Sequence, residues 1–166
     1  MKVTRGYVSG AVRVHPVATI GNFDGHHIGH RALLETLVQT ARRAQGTALA
    51  VTFDPHPVKI LAPHADLRFL TSFEEKLARF EEAGIDEVVF LEFSEAFAKL
   101  SPVDFAEQVL HRGLQLKDIF VGQQFAFGHK RAGTIADLVE LGRRFGRSEE
   151  HTSELQSPYV ISYAVF

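Results

Sequence analysis

The sequence predicts an α/β protein in which a parallel β-sheet is flanked by helices on both faces. Short apolar runs rich in strand-forming residues alternate along the chain with longer segments whose apolar residues recur at helical spacing. The chain has 166 residues, enough for one domain with a sizeable core. Apolar residues make up 45% of it and charged residues 23%, as in ordinary globular domains, so a packed fold is expected.

Strands and helices are expected to alternate along the chain. The first strand ends in the apolar run 14–20, and the segment after it has apolar residues at helical spacing. Ser72 and Glu75 have the spacing of a capping box at the start of the second helix. Ser101 followed by Pro102 is a typical start for the third. The expected strands are residues 12–20, 48–53, 87–93 and 118–121, and the expected helices are residues 30–44, 72–83, 102–112 and 134–145.

Composition narrows the function classes. The formal net charge of −2 gives no sign of a polyanion-binding surface, so we expect no nucleic-acid partner. Cysteine is absent, which excludes disulfides, thiolate metal sites and cysteine nucleophiles, and fits a cytoplasmic protein. The N-terminus has no apolar signal region, and no stretch approaches the ~18 apolar residues of a membrane span. We therefore expect no membrane partner, and the oligomeric state is left open.

Residues 21–30 form the most informative segment of the chain. This glycine-rich stretch lies between the first strand and the first helix, and its histidines His27 and His30 stand three residues apart where the helix begins. Free N–H groups and the positive end of a helix dipole bind anions at such a junction. Gly21 and Gly25 allow the backbone to approach a phosphate closely. The segment therefore predicts a phosphate site.

The chemistry expected there is in-line attack at the α-phosphorus of a nucleoside triphosphate. That reaction requires charge stabilisation and positioning, which donors such as imidazoles supply, and it requires no protein nucleophile. Two other interpretations stay open: a plain turn with exposed histidines, or a metal site in which His26 and His30 join Asp24 and His56. The chain has no Walker A pattern and no Gly-x-Gly-x-x-Gly pattern.

Two further unusual loops are expected near this segment. Residues 54–57 and 122–133 also follow predicted strands. In open parallel sheets, ligands gather at the carboxyl ends of the strands. We therefore expect the three loops to converge on one site.

The three loops also carry a family resemblance. Residues 21–30 (Gly-Asn-Phe-Asp-Gly-His-His-Ile-Gly-His), 52–57 (Thr-Phe-Asp-Pro-His-Pro) and 121–128 (Val-Gly-Gln-Gln-Phe-Ala-Phe-Gly) occur in this order. Together they resemble the FMN adenylyltransferase module of bacterial bifunctional riboflavin kinase/FAD synthetase, over residues 8–146. The resemblance implies a Rossmann-like nucleotidyltransferase fold. It also implies an enzyme that joins FMN and ATP to give FAD and pyrophosphate, with Mg²⁺.

The resemblance also assigns roles to residues. His27 and His30 are implied to be the catalytic residues that bind the ATP phosphates. The rest of the implied ATP pocket is Gly21, Asn22, Phe23, Asp24, Gly25 and Gly29. The implied flavin and nucleotide contacts are Asp54, His56, Gly122, Gln124, Phe125 and Phe127, and no protein metal ligand is implied.

Several of these assignments have alternatives. Phe125 and Phe127 have the spacing of core residues on a strand, and His56 between two prolines fits a merely rigid loop. Lys130 and Arg131 fit either a cation pair near a polyphosphate or a solvated loop. The chain departs from the family pattern at Gln124, where Asp or Asn is usual, and at His26, where a small apolar residue is usual.

Rival functions are also open at this stage. A nucleotidyltransferase for another phosphorylated acceptor, such as a pantetheine or nicotinamide nucleotide, has the same fold. A non-catalytic nucleotide- or flavin-binding module and a histidine metal-binding protein belong to other classes. The motifs at residues 54–57 and 121–128 favour the flavin enzyme.

The sequence changes character after Gly146. Residues 147–157 are polar and aperiodic, and they resemble the translation of a common sequencing-library adapter. Residues 161–166 resemble translated sequence from the far side of the index of that adapter. We expect residues 1–146 to be the FMN adenylyltransferase domain, incomplete at its C-terminus. Residues 147–166 are expected to be a non-native tail whose apolar end can form a strand without functional meaning.

The family pattern continues beyond this point. It includes a Ser/Thr-rich, Arg-containing segment that forms the second phosphate-binding half of the site, followed by a riboflavin kinase domain. Neither is found in the sequence. We therefore expect the chain as written to be weakly active or inactive, although its parent gene encodes an enzyme.

Overall fold

The computed structural model describes residues 1–7, 11–25, 28–146 and 161–166. Within these residues, strands β1 to β6 form one sheet with the order β1-β4-β3-β2-β5-β6. Their bounds are Lys2–Arg5, Val17–Ile20, Ala48–Asp54, Glu87–Glu92, Asp118–Gly122 and Ile161–Val165. All neighbouring pairs are parallel except β5 and β6, which are antiparallel. The predicted parallel sheet is therefore confirmed for the strands before β6.

The helices connect these strands on both faces of the sheet. Helices α1 to α6 are Ile28–Arg43, Pro57–Leu61, Phe73–Glu82, Glu95–Ala98, Pro102–Asp104 and Ile135–Phe145. Helix α5 continues directly into a π-helical segment over Phe105–Gly113, and a 3₁₀ turn covers His129–Arg131. The expected capping box of Ser72 with Glu75 begins α3, and Ser101 caps the amide of Asp104 at the start of α5.

Two hydrophobic layers hold the helices against the sheet. On one face, Leu37 of α1 and Phe80 of α3 pack with strand residues such as Ala50. On the other face, Val109 of the π-helical segment and Leu138 of α6 pack with the opposite set of strand side chains. Alternate strand residues point to opposite faces, so both faces are apolar and both are covered. The predicted α/β class, with helices on both faces, is confirmed.

The strand order places a switch point between β2 and β5. Without β1, the order is that of a Rossmann-like sheet, which runs outward from β2 to β3 and β4 on one side and to β5 on the other. The loops that follow β2 and β5 therefore leave the sheet side by side. Ligands in such folds bind outside the carboxyl ends of the strands at this point.

The first expected strand was too long. Residues 12–20 were expected, but β2 begins at Val17, and Val12 and Val14 are 93% and 64% exposed. Pro16 has no amide hydrogen for a strand ladder, and His15 has a positive φ of 36°. The stretch before Val17 therefore leaves the sheet.

The sequence analysis did not predict the shortest strand and helices. Strand β1 and helices α2 and α4 have four or five residues each, too few for a periodic pattern to show.

Residues 147–160, on which most of the adapter interpretation rests, lie outside the described residues. Residues 161–165 form the edge strand β6, which packs against α6. At the end of this strand, Ala164 is buried and Val165 is partly exposed. Within the described part of the chain, no helix is long and apolar enough to cross a membrane.

Candidate active site

A cavity of about 730 Å³ opens beyond the carboxyl ends of the strands. It lies between the loop after β2, the helices α2 and α4, and the loop after β5. Its lining residues are Ile20, Gly21, Asn22, Phe53, Pro57, Val58, Ile60, Leu61, Phe93, Glu95, Phe97, Ala98, Lys99, Phe105, Gln124, Phe125, Ala126, Phe127, Gly128, His129, Lys130 and Arg131. The volume is in the range of small-molecule sites.

Aromatic side chains form much of the cavity wall. The ring of Phe53 makes edge contacts with those of Phe93 and Phe97, at centroid distances of 5.6 and 6.0 Å. Phe125 and Phe127 stack with an angle of 17° between their planes. Phe127 is only 4% exposed and belongs to the core, yet it lines the cavity. Core packing and ligand contact, which the sequence left as alternatives for these two residues, are therefore compatible.

Basic side chains form part of the cavity lining. Lys99, His129, Lys130 and Arg131 line it together, and we call them the basic rim. The Arg131 guanidinium donates to the carbonyl oxygen of Gln124 at 3.1 Å, which ties the turn back to the loop after β5. The lining has a single carboxylate, that of Glu95. The rim therefore favours an anionic group at this end of a ligand.

The loop over residues 21–25 contacts both the cavity and helix α1. Gly21 and Asn22 line the cavity, whereas the Phe23 side chain turns into the core. The Phe23 ring lies 5.3 Å from the imidazole of His30 in the first turn of α1, and 5.1 Å from the ring of Phe80. Phe23 thus acts as a packing anchor between the 21–25 loop and α1.

Asp24 and Gly25 bind the segment before helix α3. Asp24 Oδ1 accepts hydrogen bonds from the backbone amides of Leu70 and Thr71 at 3.0 and 3.1 Å. The Gly25 amide donates to the Thr71 hydroxyl at 2.8 Å, and Gly25 has a φ of 84°, a conformation that favours glycine. These two residues shape the 21–25 loop and do not line the cavity.

Helix α3 adds two contacts that the sequence did not predict. Lys76 Nζ donates to the Asn22 carbonyl at 2.7 Å, and Arg79 Nη1 donates to the Gly25 carbonyl at 3.3 Å. Burial lowers the pKa of Lys76, while the charges of Asp24 and Asp54 act in the opposite direction. In the sequence, the only indication of these contacts was the three-residue spacing of Lys76 and Arg79. Many solvent-exposed helices have cations at the same spacing.

His56 caps helix α2. Its Nδ1 accepts a hydrogen bond from the Val58 amide at 3.3 Å, which requires an unprotonated Nδ1. Burial lowers the pKa of His56, as do the positive charges of Lys76 and Lys59, and Asp24 opposes this shift. The neutral imidazole is therefore favoured, and the rigid-loop interpretation of His56 agrees with this contact.

The remaining predicted residues lie at or near the same edge of the sheet. Asp54 pairs with Arg5 of β1, with Nη1 and Oδ2 2.6 Å apart. Gly122 is the exposed last residue of β5, and Gly29 and His30 belong to the first turn of α1. His27, together with His26, lies outside the described residues.

The predicted residues in the described part of the chain therefore fall into two groups. Those that line the cavity are Gly21, Asn22, Gln124, Phe125 and Phe127. Those at the loops around it are Phe23, Asp24, Gly25, Gly29, His30, Asp54, His56 and Gly122. In the described part of the chain, no three His, Asp or Glu side chains lie close enough together to hold a metal ion.

Comparisons with known proteins identify the family of the chain. The model of the FAD synthetase family matches residues 11–160. The bifunctional riboflavin kinase/FMN adenylyltransferase of Escherichia coli K12 is 36% identical over 148 residues, which are 88% of this chain and 47% of that protein. The protein of the same name from Buchnera aphidicola subsp. Acyrthosiphon pisum is 34% identical over 146 residues, 87% of this chain and 47% of that protein.

A solved structure supports the fold. The crystal structure of a protein described as a macrolide-efflux protein from Streptococcus pneumoniae superposes with a TM-score of 0.72 and 23% identity, over 85% of this chain and 47% of that chain. The chain spans about half the length of the curated relatives it matches. Because the family model covers most of the sequence and relatives above 30% identity match it nearly throughout, the chain belongs to the FAD synthetase family.

Proposed function

We propose that this chain is an ATP:FMN adenylyltransferase that transfers AMP from ATP to FMN and releases pyrophosphate. One observation carries the proposal. Gly21 and Asn22 of the 21–25 loop line the apolar cavity, and the next residue, Phe23, contacts His30 at the start of helix α1. Two ligands bound at these places would meet across a single stretch of backbone.

The cavity suits FMN as the acceptor. Its aromatic wall matches a flat, largely apolar ring system, since stacked and edge contacts favour such groups. The basic rim, with Lys130 and Arg131, provides cations for the phosphate of FMN. A phosphorylated flavin therefore satisfies both parts of the lining.

The start of α1 suits ATP. His30 lies in its first turn, and we propose that His27 and His30 donate hydrogen bonds to the phosphates. An oxygen of the FMN phosphate attacks the α-phosphorus, the bond to the β-phosphate oxygen breaks, and pyrophosphate leaves with its electron pair. No covalent intermediate with the protein forms.

Mg²⁺ is proposed to arrive with ATP. This ion usually takes phosphate oxygens, waters and one or two carboxylates rather than a full protein cage. Asp24 already accepts hydrogen bonds from backbone amides, and Asp54 pairs with Arg5. An ion held mainly by phosphate oxygens and waters is compatible with these contacts. When bound, the ion would neutralise charge on the phosphates.

The direct test is product formation. The purified chain is incubated with ATP, Mg²⁺ and FMN, and FAD is separated by chromatography while pyrophosphate is measured by a coupled assay. We expect FAD and pyrophosphate in equal amounts, formed slowly because the second phosphate-binding segment is missing, and neither when riboflavin replaces FMN. Binding of FMN and ATP without any FAD, both in this chain and in the protein encoded by the complete gene, would contradict the proposal and favour a non-catalytic binding module.

We further propose that residues 147–166 are not native and that the parent gene continues past Gly146 into a second phosphate-binding segment and a riboflavin kinase domain. The length and the printed names of the curated relatives support this proposal. Sequencing the gene from reads free of adapter is the test. A gene that encodes residues 147–166 in its own genomic context would contradict it.

A further inference from the structure

Helix α3 lies outside the cavity but contacts both ends of the 21–25 loop. Lys76 Nζ donates to the Asn22 carbonyl at 2.7 Å, and Arg79 Nη1 donates to the Gly25 carbonyl at 3.3 Å. Residues three apart lie on the same face of a helix, so both cations face the loop. Hydrogen bonds from charged donors are among the stronger ones in proteins.

Other contacts join the loop to the segment before α3. Thr71 is the common partner, because its amide donates to Asp24 while its hydroxyl accepts from the Gly25 amide and from Arg79. The Thr52 hydroxyl lies 3.5 Å from the Asn22 carbonyl. Among these partners, Lys76 gives the shortest contact to that carbonyl, and it belongs to an element that has no part in the cavity lining.

The position of the Asn22 carbonyl affects both sides of the loop. Asn22 lines the cavity, and the next residue, Phe23, packs on the ring of His30 at the start of α1. A displacement of the peptide between Asn22 and Phe23 would therefore change the distance between the two proposed substrates. In-line transfer is sensitive to such displacements, since its rate depends on alignment of the reacting atoms.

We propose that Lys76 is a positioning residue for adenylyl transfer, with Arg79 as a second support of the same loop. Lys76 fixes the Asn22 carbonyl, and through it the spacing between the cavity and the start of α1, without touching the reacting atoms. This inference rests on the proposed function.

The first test measures the loop itself and needs no turnover. Variants Lys76→Met and Lys76→Arg are compared with Lys117→Met, an exposed lysine at the opposite end of the sheet. Methionine and arginine are both good helix formers, so α3 is expected to persist, which thermal unfolding checks. We expect hydrogen exchange of peptides covering residues 21–25 to be about ten-fold faster in Lys76→Met. Exchange near the wild-type rate is expected in Lys76→Arg, which keeps a donor, and in Lys117→Met.

The second test separates positioning from folding. In Lys76→Met, kcat is expected to fall about ten-fold, the effect of one lost charged hydrogen bond, while KM for ATP and KM for FMN each change less than about two-fold. Lys76→Arg should restore most of the loss. Unchanged exchange and kinetics in Lys76→Met, or a loss that lies in KM with kcat unchanged, would overturn the inference.

The two proposals fail in different ways. If neither the wild-type chain nor the protein encoded by the complete gene makes FAD, the proposed function fails, and the exchange measurement still decides whether Lys76 holds the loop. If the wild-type chain makes FAD and Lys76→Met behaves like it in both tests, only the positioning role fails.

Discussion

The cavity and the 21–25 loop are built from different interactions. The cavity wall consists of apolar rings such as Phe97, Phe105 and Phe127, which also belong to the hydrophobic core. The loop is held by hydrogen bonds, among them those from Lys76 to Asn22 and from the Leu70 amide to Asp24. One half of the proposed site thus follows from core packing, and the other from a few directed polar contacts.

This difference predicts how the two halves respond to substitution. Apolar packing is shared among many neighbours, so a cavity wall tolerates changes that preserve volume. A directed hydrogen bond is either present or lost, and a bond from a charged donor contributes about 1.5–3 kcal/mol. Single substitutions at the loop should therefore change the chemistry, whereas substitutions at the cavity should change which acceptor binds.

The largest effect is expected for His30→Ala. Removal of one donor to a phosphate that gains charge in the transition state typically lowers kcat about 10²–10³-fold. The dissociation constant of FMN, measured by its fluorescence, should stay the same. His27→Ala is expected to behave in the same way.

A ring-preserving control separates the donor from the packing. The His30 imidazole lies against Phe23, so His30→Ala removes a contact as well as a donor. His30→Phe keeps a ring at this position and has no donor. We expect it to be as inactive as His30→Ala. Wild-type turnover in His30→Phe would show that packing alone matters and would contradict the assigned role.

A smaller effect is expected when the cavity is filled. Ala126 lines it, and Ala126→Trp introduces an indole where the acceptor ring is proposed to lie. We expect FMN to bind at least about ten-fold more weakly, because overpacking costs about 1–3 kcal/mol. ATP binding, measured by calorimetry, should change little. The matched control is Ala65→Trp at an exposed position outside the lining; equal losses in both variants would argue against the cavity as the acceptor site.

The same contrast explains what the sequence could predict. Core periodicity is local, so the two apolar faces, the alternation of strands and helices and the convergence of the loops after β2, β3 and β5 were all predictable. Phe125 and Phe127 were found because their spacing and their motif coincide. The cavity-lining residues in the loops after β2 and β5 were therefore largely predicted.

The contacts of α3 could not be predicted in this way. Lys76 and Arg79 look like any pair of cations on a solvated helix face, and their partners are backbone carbonyls more than fifty residues away in the chain. The partners of Asp24, the backbone amides of Leu70 and Thr71, could not be predicted for a similar reason. Polar contacts between distant segments depend on the final packing and leave no periodic trace.

A pH-dependent effect of smaller size is expected at His56, at the boundary between the two halves. Its lowered pKa means that the folded protein binds fewer protons there than the unfolded chain. The stability from this cap is present above the ordinary pKa of 6.5 and is lost as the pH falls through the lowered value.

The comparison variant for this effect is His56→Asn, which keeps a capping side chain but does not titrate. Between about pH 7.5 and pH 5, we expect the Tm of the wild-type chain to fall about 2 °C more than that of His56→Asn, since a cap contributes about 1 kcal/mol. Equal decreases in Tm would show that protonation of His56 does not weaken the cap.

The smallest effect is expected at the basic rim, where the cavity departs from its apolar character. Lys130 lines the cavity but is exposed, so water and salt screen its charge. We expect Lys130→Met to weaken FMN binding about two-fold at low ionic strength and to leave riboflavin binding unchanged, because only FMN carries a phosphate. Lys117→Met serves as the control for net charge. If FMN and riboflavin both bind more weakly to Lys130→Met, the lysine acts through its aliphatic stem, and the phosphate would then depend on the other residues of the basic rim or on the loop.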